Sequence, residues 1–208
     1  MHHYQDEIQL SALMVEPMVD RLREWLAAGK LEGEDLEAAL GLNAQALLDH
    51  PMDPGDWVSL SDVQGMVGRI AAEIGGEVGL SEWAREIAAD WTAKPAIASM
   101  LASARRLPDA QGFAISQASS LLVRDPEWQY TGGADSFRVC FTGFSEIGSE
   151  LKSMLGSLLS KLAEEVSSRP FDVRVAGLDG GDFLIFGEAE GVVAAEAESR
   201  LHQAALIP

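Results

Sequence analysis

Four histidines, one cysteine and a pair of close aspartates are the residues from which this chain of 208 residues could build reactive chemistry. His2 and His3 stand at the start, and His202 falls in "VVAAEAESRLHQAAL", a helical stretch near the end. His50 precedes Pro51 at a helix end, where an imidazolium suits the helix dipole better than it suits catalysis. The stretch "FDVRVAGLDGGDFLIF" holds Asp179 and Asp182 around two glycines. An EF-hand loop needs oxygen ligands at alternate positions and a closing Glu. A P-loop needs Gly-Lys-Ser/Thr leading into a helix. Neither pattern fits, so the Asp-Gly-Gly-Asp segment reads as a turn between two strands, its glycines supplying positive φ and its aspartates local hydrogen bonds.

Cys140, the single cysteine, excludes an intramolecular disulfide and any Cys/His zinc cluster. It falls in "SFRVCFT" on the face opposite Phe137, Val139 and Phe141, beside Arg138, and reads as a small half-buried residue. No His-Glu-x-x-His, Gly-x-Ser-x-Gly or kinase signature occurs. The acidic pairs Glu164-Glu165 and Glu196/Glu198 belong to solvated helix faces. No catalytic residue, metal ligand or cofactor is therefore nominated, and a non-enzymatic protein is expected.

Aromatic residues offer a different chemistry. Trp83 and Trp91 are eight residues apart on one helix, and Trp128 and Tyr130 fall in a short strand, "EWQY". With Cys140 they are the candidates for lining an apolar ligand pocket between helices and sheet, where aromatic lining is common. Core packing is the plainer reading of the same residues.

The elements that must position these side chains change character along the chain. Residues 5–29 carry Leu10, Leu13, Met14, Met18, Leu22, Trp25 and Leu26 at spacings of mostly three or four, which predicts an amphipathic helix around Pro17. Short helices are predicted at 34–40 and 44–49, the second capped by Asn43. After the turn-rich "HPMDPGDW", helices are expected from Ser61 to about Ile74, over 81–91, over 94–106 from Pro95, and over 109–121, with "GGEVG" separating the first two. Past about residue 125 the period switches to two. Ser136–Thr142 and Phe171–Val175 alternate as half-buried strands, and Phe183–Phe186 is a short apolar run covered on both faces. Between them Ser145 is expected to cap a long helix through Val166, with Gly148 and Gly156 allowing another backbone to come close.

The fold class is thus α+β: an N-terminal helical layer followed by a four-stranded antiparallel sheet in the order strand, strand, long helix, strand, strand. Residues 1–50 read as an N-terminal helical segment and 51–208 as a sensor-like α+β domain, or the two as one continuous domain. A formal net charge of -18 argues against nucleic acid and anionic membranes as partners and leaves room for a basic protein partner. "ALGLNAQALLDH" has helix-turn-helix spacing, but its second helix lacks Arg and Lys and contains Asp49. No run of 18 apolar residues spans a membrane, "MHHYQDEIQL" shows no secretory pattern, and a cytoplasmic location is expected.

The stretches "DPGDWVSLSDVQGMVGRIAAEIGG", "VCFTGFSEIGSELKSMLGSLLSKLAEEV" and "FDVRVAGLDGGDFLIF" give an order of elements that resembles the fold shared by haem-based nitric-oxide sensors, 4-vinyl reductase domains and TRAPP subunits. The likeness spans roughly 50–187 and is nearest to an uncharacterised paralogous family of myxobacteria. The axial His and the Tyr-x-Ser-x-Arg motif of the haem sensors, and the cysteines of the 4-vinyl reductase type, have no counterpart in this sequence. The resemblance leaves a small-molecule sensor or a protein-interaction module. A regulatory or ligand-sensing domain, assembled as a homodimer, is the leading expectation from the long apolar helix with its glycines, the sheet that follows and the absence of catalytic groups, and the aromatic candidates make an apolar small molecule its ligand. The alternatives are an acidic adaptor for a basic protein, or an enzyme whose carboxylates sequence does not mark.

Overall fold

The computed structural model describes residues 8–32, 42–107, 109–124, 127–133, 135–142, 147–178 and 182–190. Strand β1 (Gln9–Ser11) leads directly into helix α1 (Ala12–Ala27). Met14, Val15, Met18, Val19, Leu22 and Trp25 form its buried stripe, with Pro17 inside the helix. Gly29, at φ +66°, ends it, as Lys30 N–H reaches back to Trp25 O. Helix α2 (Leu42–Asp49) and strand β2 (Trp57–Ser59) follow.

Helix α3 (Leu60–Ile74) is capped by Ser59, whose side chain accepts from Asp62 N–H at 3.2 Å. Its apolar face, Val63, Met66, Val67 and Ile70, is fully buried. Each such side chain contributes about 1.5–3 kcal/mol through burial. Gly75, left-handed at φ +96°, turns the chain, and helix α4 (Gly76–Ala93) begins at once. Helices α5 (Pro95–Ala104) and α6 (Ala110–Leu122) complete the helical layer.

Strand β3 (Val123–Arg124) returns to β1, so that β2, β1 and β3 make a small antiparallel sheet. A second sheet contains β4 (Glu127–Gly132), β5 (Ser136–Thr142), β6 (Phe171–Gly177) and β7 (Phe183–Ala189), in the order β4-β5-β7-β6, all antiparallel. Helix α7 (Ser149–Ser167) joins its two halves. The α+β class and the four-stranded sheet are as the periodicity predicts.

Directly opposed residues share a face. Trp128, Tyr130, Phe137, Val139, Phe141, Ile185, Phe183 and Phe171 therefore line the face toward α7, and Phe141 stacks on Phe183 at 4.7 Å. Gly187 stands opposite Phe137, whose ring fills the space a Cβ would take. One contiguous core joins α1, α3, α4, α6, α7 and this sheet face.

Several boundaries differ from expectation. The first predicted helix is strand over Gln9–Ser11, because those residues pair with Trp57–Ser59 and Val123–Arg124. "GGEVG" is not a separator, since Gly75 alone stands between the two helices and α4 already runs through the rest, Gly75 and Gly76 taking positive φ. Ser59 caps α3 in place of Ser61, and Asn43 lies inside α2. The long helix starts after Gly148, which is its N-cap; Ile147 is buried just ahead of it, and Ser145 lies outside the described residues. The predicted helix at 34–40, His2, His3, His202 and the Asp179–Gly181 turn also lie outside them. Flanking that turn, Leu178 N–H bonds Asp182 O at 2.8 Å, as a hairpin between β6 and β7 requires.

Candidate ligand groove

The five aromatic and thiol candidates do not converge on one space. Trp83 and Trp91 are buried in α4, and the Arg21 guanidinium of α1 lies 5.7 Å from the Trp83 ring centroid. Trp91 Nε1 is buried without a hydrogen-bond partner among the described residues. Trp128 and Tyr130 are half-buried on β4, at the sheet edge opposite β6, packed against the core. Cys140 is half-buried on the other face of the sheet, between Gln129 and Leu184 in register.

Tyr130 belongs to a local cluster. Its hydroxyl donates to Asp109 Oδ1 at 3.2 Å, and the same oxygen accepts from Gly112 N–H at 2.9 Å, capping α6. Gly112 permits the approach, because a Cβ there would sit 2.5 Å from Tyr130 Cε1. Burial, then the Asp109 charge, then this hydrogen bond push the phenol well above the usual tyrosine range.

The concavity that does form is elsewhere. A groove of about 660 Å³ runs between α4, α7 and β6. Its floor is one flank of α7, where Ser149, Ser153, Gly156, Ser157 and Ser160 recur at helical spacing. Glu77, Ser81 and Arg85 of α4 form one wall, and Phe171, Val173, Val175 and Gly177 of β6 the other. None of the five sequence candidates lines it.

Polar contacts hold the walls. Ser81 Oγ and Ser153 Oγ are 3.0 Å apart. Arg85 Nη2 lies 2.7 and 2.8 Å from the two oxygens of Glu164, and Arg85 Nη1 donates to Ser160 Oγ at 3.0 Å. Gly156 lets β6 close in: a Cβ there would stand 2.9 Å from Val175 Cγ2. The expected close approach at this glycine is thus to valine side chains of the sheet. At the other end Lys152 Nζ sits 5.5 Å from the Phe183 ring centroid. The serine recurrence at steps of four, four and three, visible in "SELKSMLGSLLS", is the signal that could have located this flank.

No family model matches the chain, and no curated protein matches it. Solved structures do. The Fe(II) unliganded H-NOX protein from K. algicida matches with a TM-score of 0.59 and 10% identity, covering 88% of this chain and 98% of that one. A mutant of the same protein matches with a TM-score of 0.58 and 10% identity, over 89% and 99%.

The described residues do not fit an Fe(II) centre such as those two H-NOX proteins hold. His50, the histidine among them, is exposed, Cys140 stands on the sheet face away from α7, and the Tyr130 oxygen is engaged by Asp109. Among the described residues no three His, Cys, Asp or Glu side chains gather where they could hold a metal ion. Nor is any described helix long and apolar enough to cross a membrane. At this level of identity the shared feature is architectural: the chain has an H-NOX-like fold.

Proposed function

We propose that the protein is a non-catalytic regulatory domain that senses by binding a ligand in the groove between α4, α7 and β6. The observation that carries this reading is the groove itself. It is an open space of about 660 Å³, within the size range of ligand sites, walled by two helices and a strand. The likeness to H-NOX proteins supports it by analogy of fold alone. The lining mixes serine hydroxyls and two cations with Phe171, Val173 and Val175, so it suits a ligand with both polar and apolar parts. An apolar small molecule among Trp83, Trp91 and Trp128 is the weaker version, because Trp83 and Trp91 fill core positions of α4 while Trp128 packs against the core from β4.

Amide chemical-shift mapping of the full chain against a panel of aromatic and polar metabolites tests the reading. Shifts centred on Ser81, Ser153, Ser157, Val173 and Val175 are expected. Binding centred elsewhere, or no binding across the panel and across peptides, overturns it.

A further inference from the structure

β6 is an edge strand, and its hydrogen bonds to β7 have a fixed phase. Leu178 N–H bonds Asp182 O and Glu190 N–H bonds Pro170 O, and both fall on the register that pairs Asp172 with Glu188 and Arg174 with Phe186. In an antiparallel ladder alternate residues face the partner strand. The even-numbered residues of β6 therefore bond β7, while the N–H and C=O groups of Phe171, Val173, Val175 and Gly177 point to the free edge. These four are the β6 residues that line the groove. The Phe171 carbonyl accepts from Ser160 Oγ at 3.4 Å; the main-chain groups of Val173, Val175 and Gly177 have no partner among the described residues.

An unpaired edge is a template for another strand. Here α4 faces the same groove across α7, so an incoming strand has a roof on one side, and a whole second sheet would have to pass α4. A single extended segment needs no such clearance. Its residues opposite Phe171, Val173 and Val175 would turn their side chains toward α7, where the short serine side chains of Ser153 and Ser157 leave room for small groups. Near Gly177 the Lys152 ammonium has no carboxylate partner among the described residues, in a chain of 33 acidic and 15 basic residues.

We infer that the groove receives an extended peptide of a partner protein, added as a fifth strand beside β6, with small or hydroxylated side chains toward α7 and one acidic side chain at Lys152. The inference rests on the reading of the groove as the ligand site and names its ligand class. Recognition is by main-chain hydrogen bonds at alternate residues, with side-chain contacts at every second position.

A displayed library of random octapeptides, selected on the full chain, is the test. Retained peptides should carry an acid at a fixed position. N-methylation of alternate amides should weaken them about tenfold, as expected for losing one main-chain bond, and N-methylation of the intervening amides should have little effect. Val173→Pro removes only an outward N–H, which an edge strand tolerates, and should abolish binding. Ser157→Trp, which fills the groove from α7 and leaves β6 untouched, should do the same if Val173→Pro perturbs folding.

Failure to retain any peptide overturns the inference, as do peptides indifferent to both substitutions or to the N-methyl phase. A dimer of the chain that Val173→Pro dissociates would make the occupant a second copy and overturn it as well. Small molecules mapping to the groove with no peptide retained would leave the proposed function standing and remove this inference; neither binding there would remove both.

Discussion

Arg85 of α4 and Glu164 of α7 meet end-on, one guanidinium nitrogen lying 2.7 and 2.8 Å from the two carboxylate oxygens while the other donates to Ser160. The contact spans 79 residues of sequence and fixes the roof of the groove to its floor. Glu164 is 15% exposed and Arg85 42%, so the pair is neither a free surface bridge nor a dry one. We expect Glu164→Ala to destabilise the fold by about 1 kcal/mol, with a double-mutant cycle against Arg85→Ala giving a coupling of the same order. Urea denaturation of the four proteins measures it. A coupling of zero would mean that apolar packing alone holds α4 on α7.

Tyr130 supplies a pH test. Its phenol is raised in the folded state above the unfolded value of about 10. The neutral form is the one the fold favours, so this contribution to stability is fully present below pH of about 10 and is lost progressively as pH rises toward the folded value. Difference titration of tyrosinate absorbance, wild type against Tyr130→Phe, should show ionisation displaced upward. Asp109→Asn should bring it part of the way back, because burial is the larger cause and remains.

Two glycines should respond in opposite senses to alanine. Gly187→Ala drives a methyl into the Phe137 ring on the neighbouring strand, and overpacking of this kind costs about 1–3 kcal/mol. Gly68 is exposed in the middle of α3, with nothing within 4 Å of its would-be Cβ. Gly68→Ala should stabilise the protein by about 0.5–1 kcal/mol through helix propensity. Thermal melts of the two variants should move in opposite directions.

Trp91 is buried, and its indole N–H has no partner among the described residues. Phenylalanine at this position gives up some packing but also removes an unsatisfied donor, whose burial costs about 1–3 kcal/mol. Trp91→Phe should therefore fall within about 1 kcal/mol of wild type, far short of the 3–5 kcal/mol usual for truncating a core aromatic. Equilibrium unfolding decides it; a loss of several kcal/mol would show that the N–H has a partner.

The parts of this architecture that sequence made legible are those with long periodic signals. Leu151, Met154, Leu155, Leu158 and Leu162 repeat often enough to mark α7, and Phe137, Val139 and Phe141 alternate clearly enough to set the inner face of β5. Strands β1, β2 and β3 are two or three residues long, too short for any period, and Leu10 fits a helical stripe as well as a strand. The groove was hidden for a different reason. Its floor is polar, one of its walls is the edge of a strand, and main-chain donors leave no trace in residue type. Aromatic residues drew attention to core positions, whereas the hydroxyl recurrence on α7 carries no specific chemistry until α4 and β6 are seen beside it.

The little sheet of β2, β1 and β3 also has a bearing on how the chain assembles. Leu10 pairs with Val58 on one side and with Val123 on the other, so its two partners lie at very different distances along the sequence. Such a clasp can form only after the intervening helices have gathered, which makes it a late, long-range event that slows closure. A protein lacking residues 1–11 would keep every helix of the layer yet lose the stitch that binds its beginning to its middle, and hydrogen exchange at Val58 and Val123 would report the loosening first.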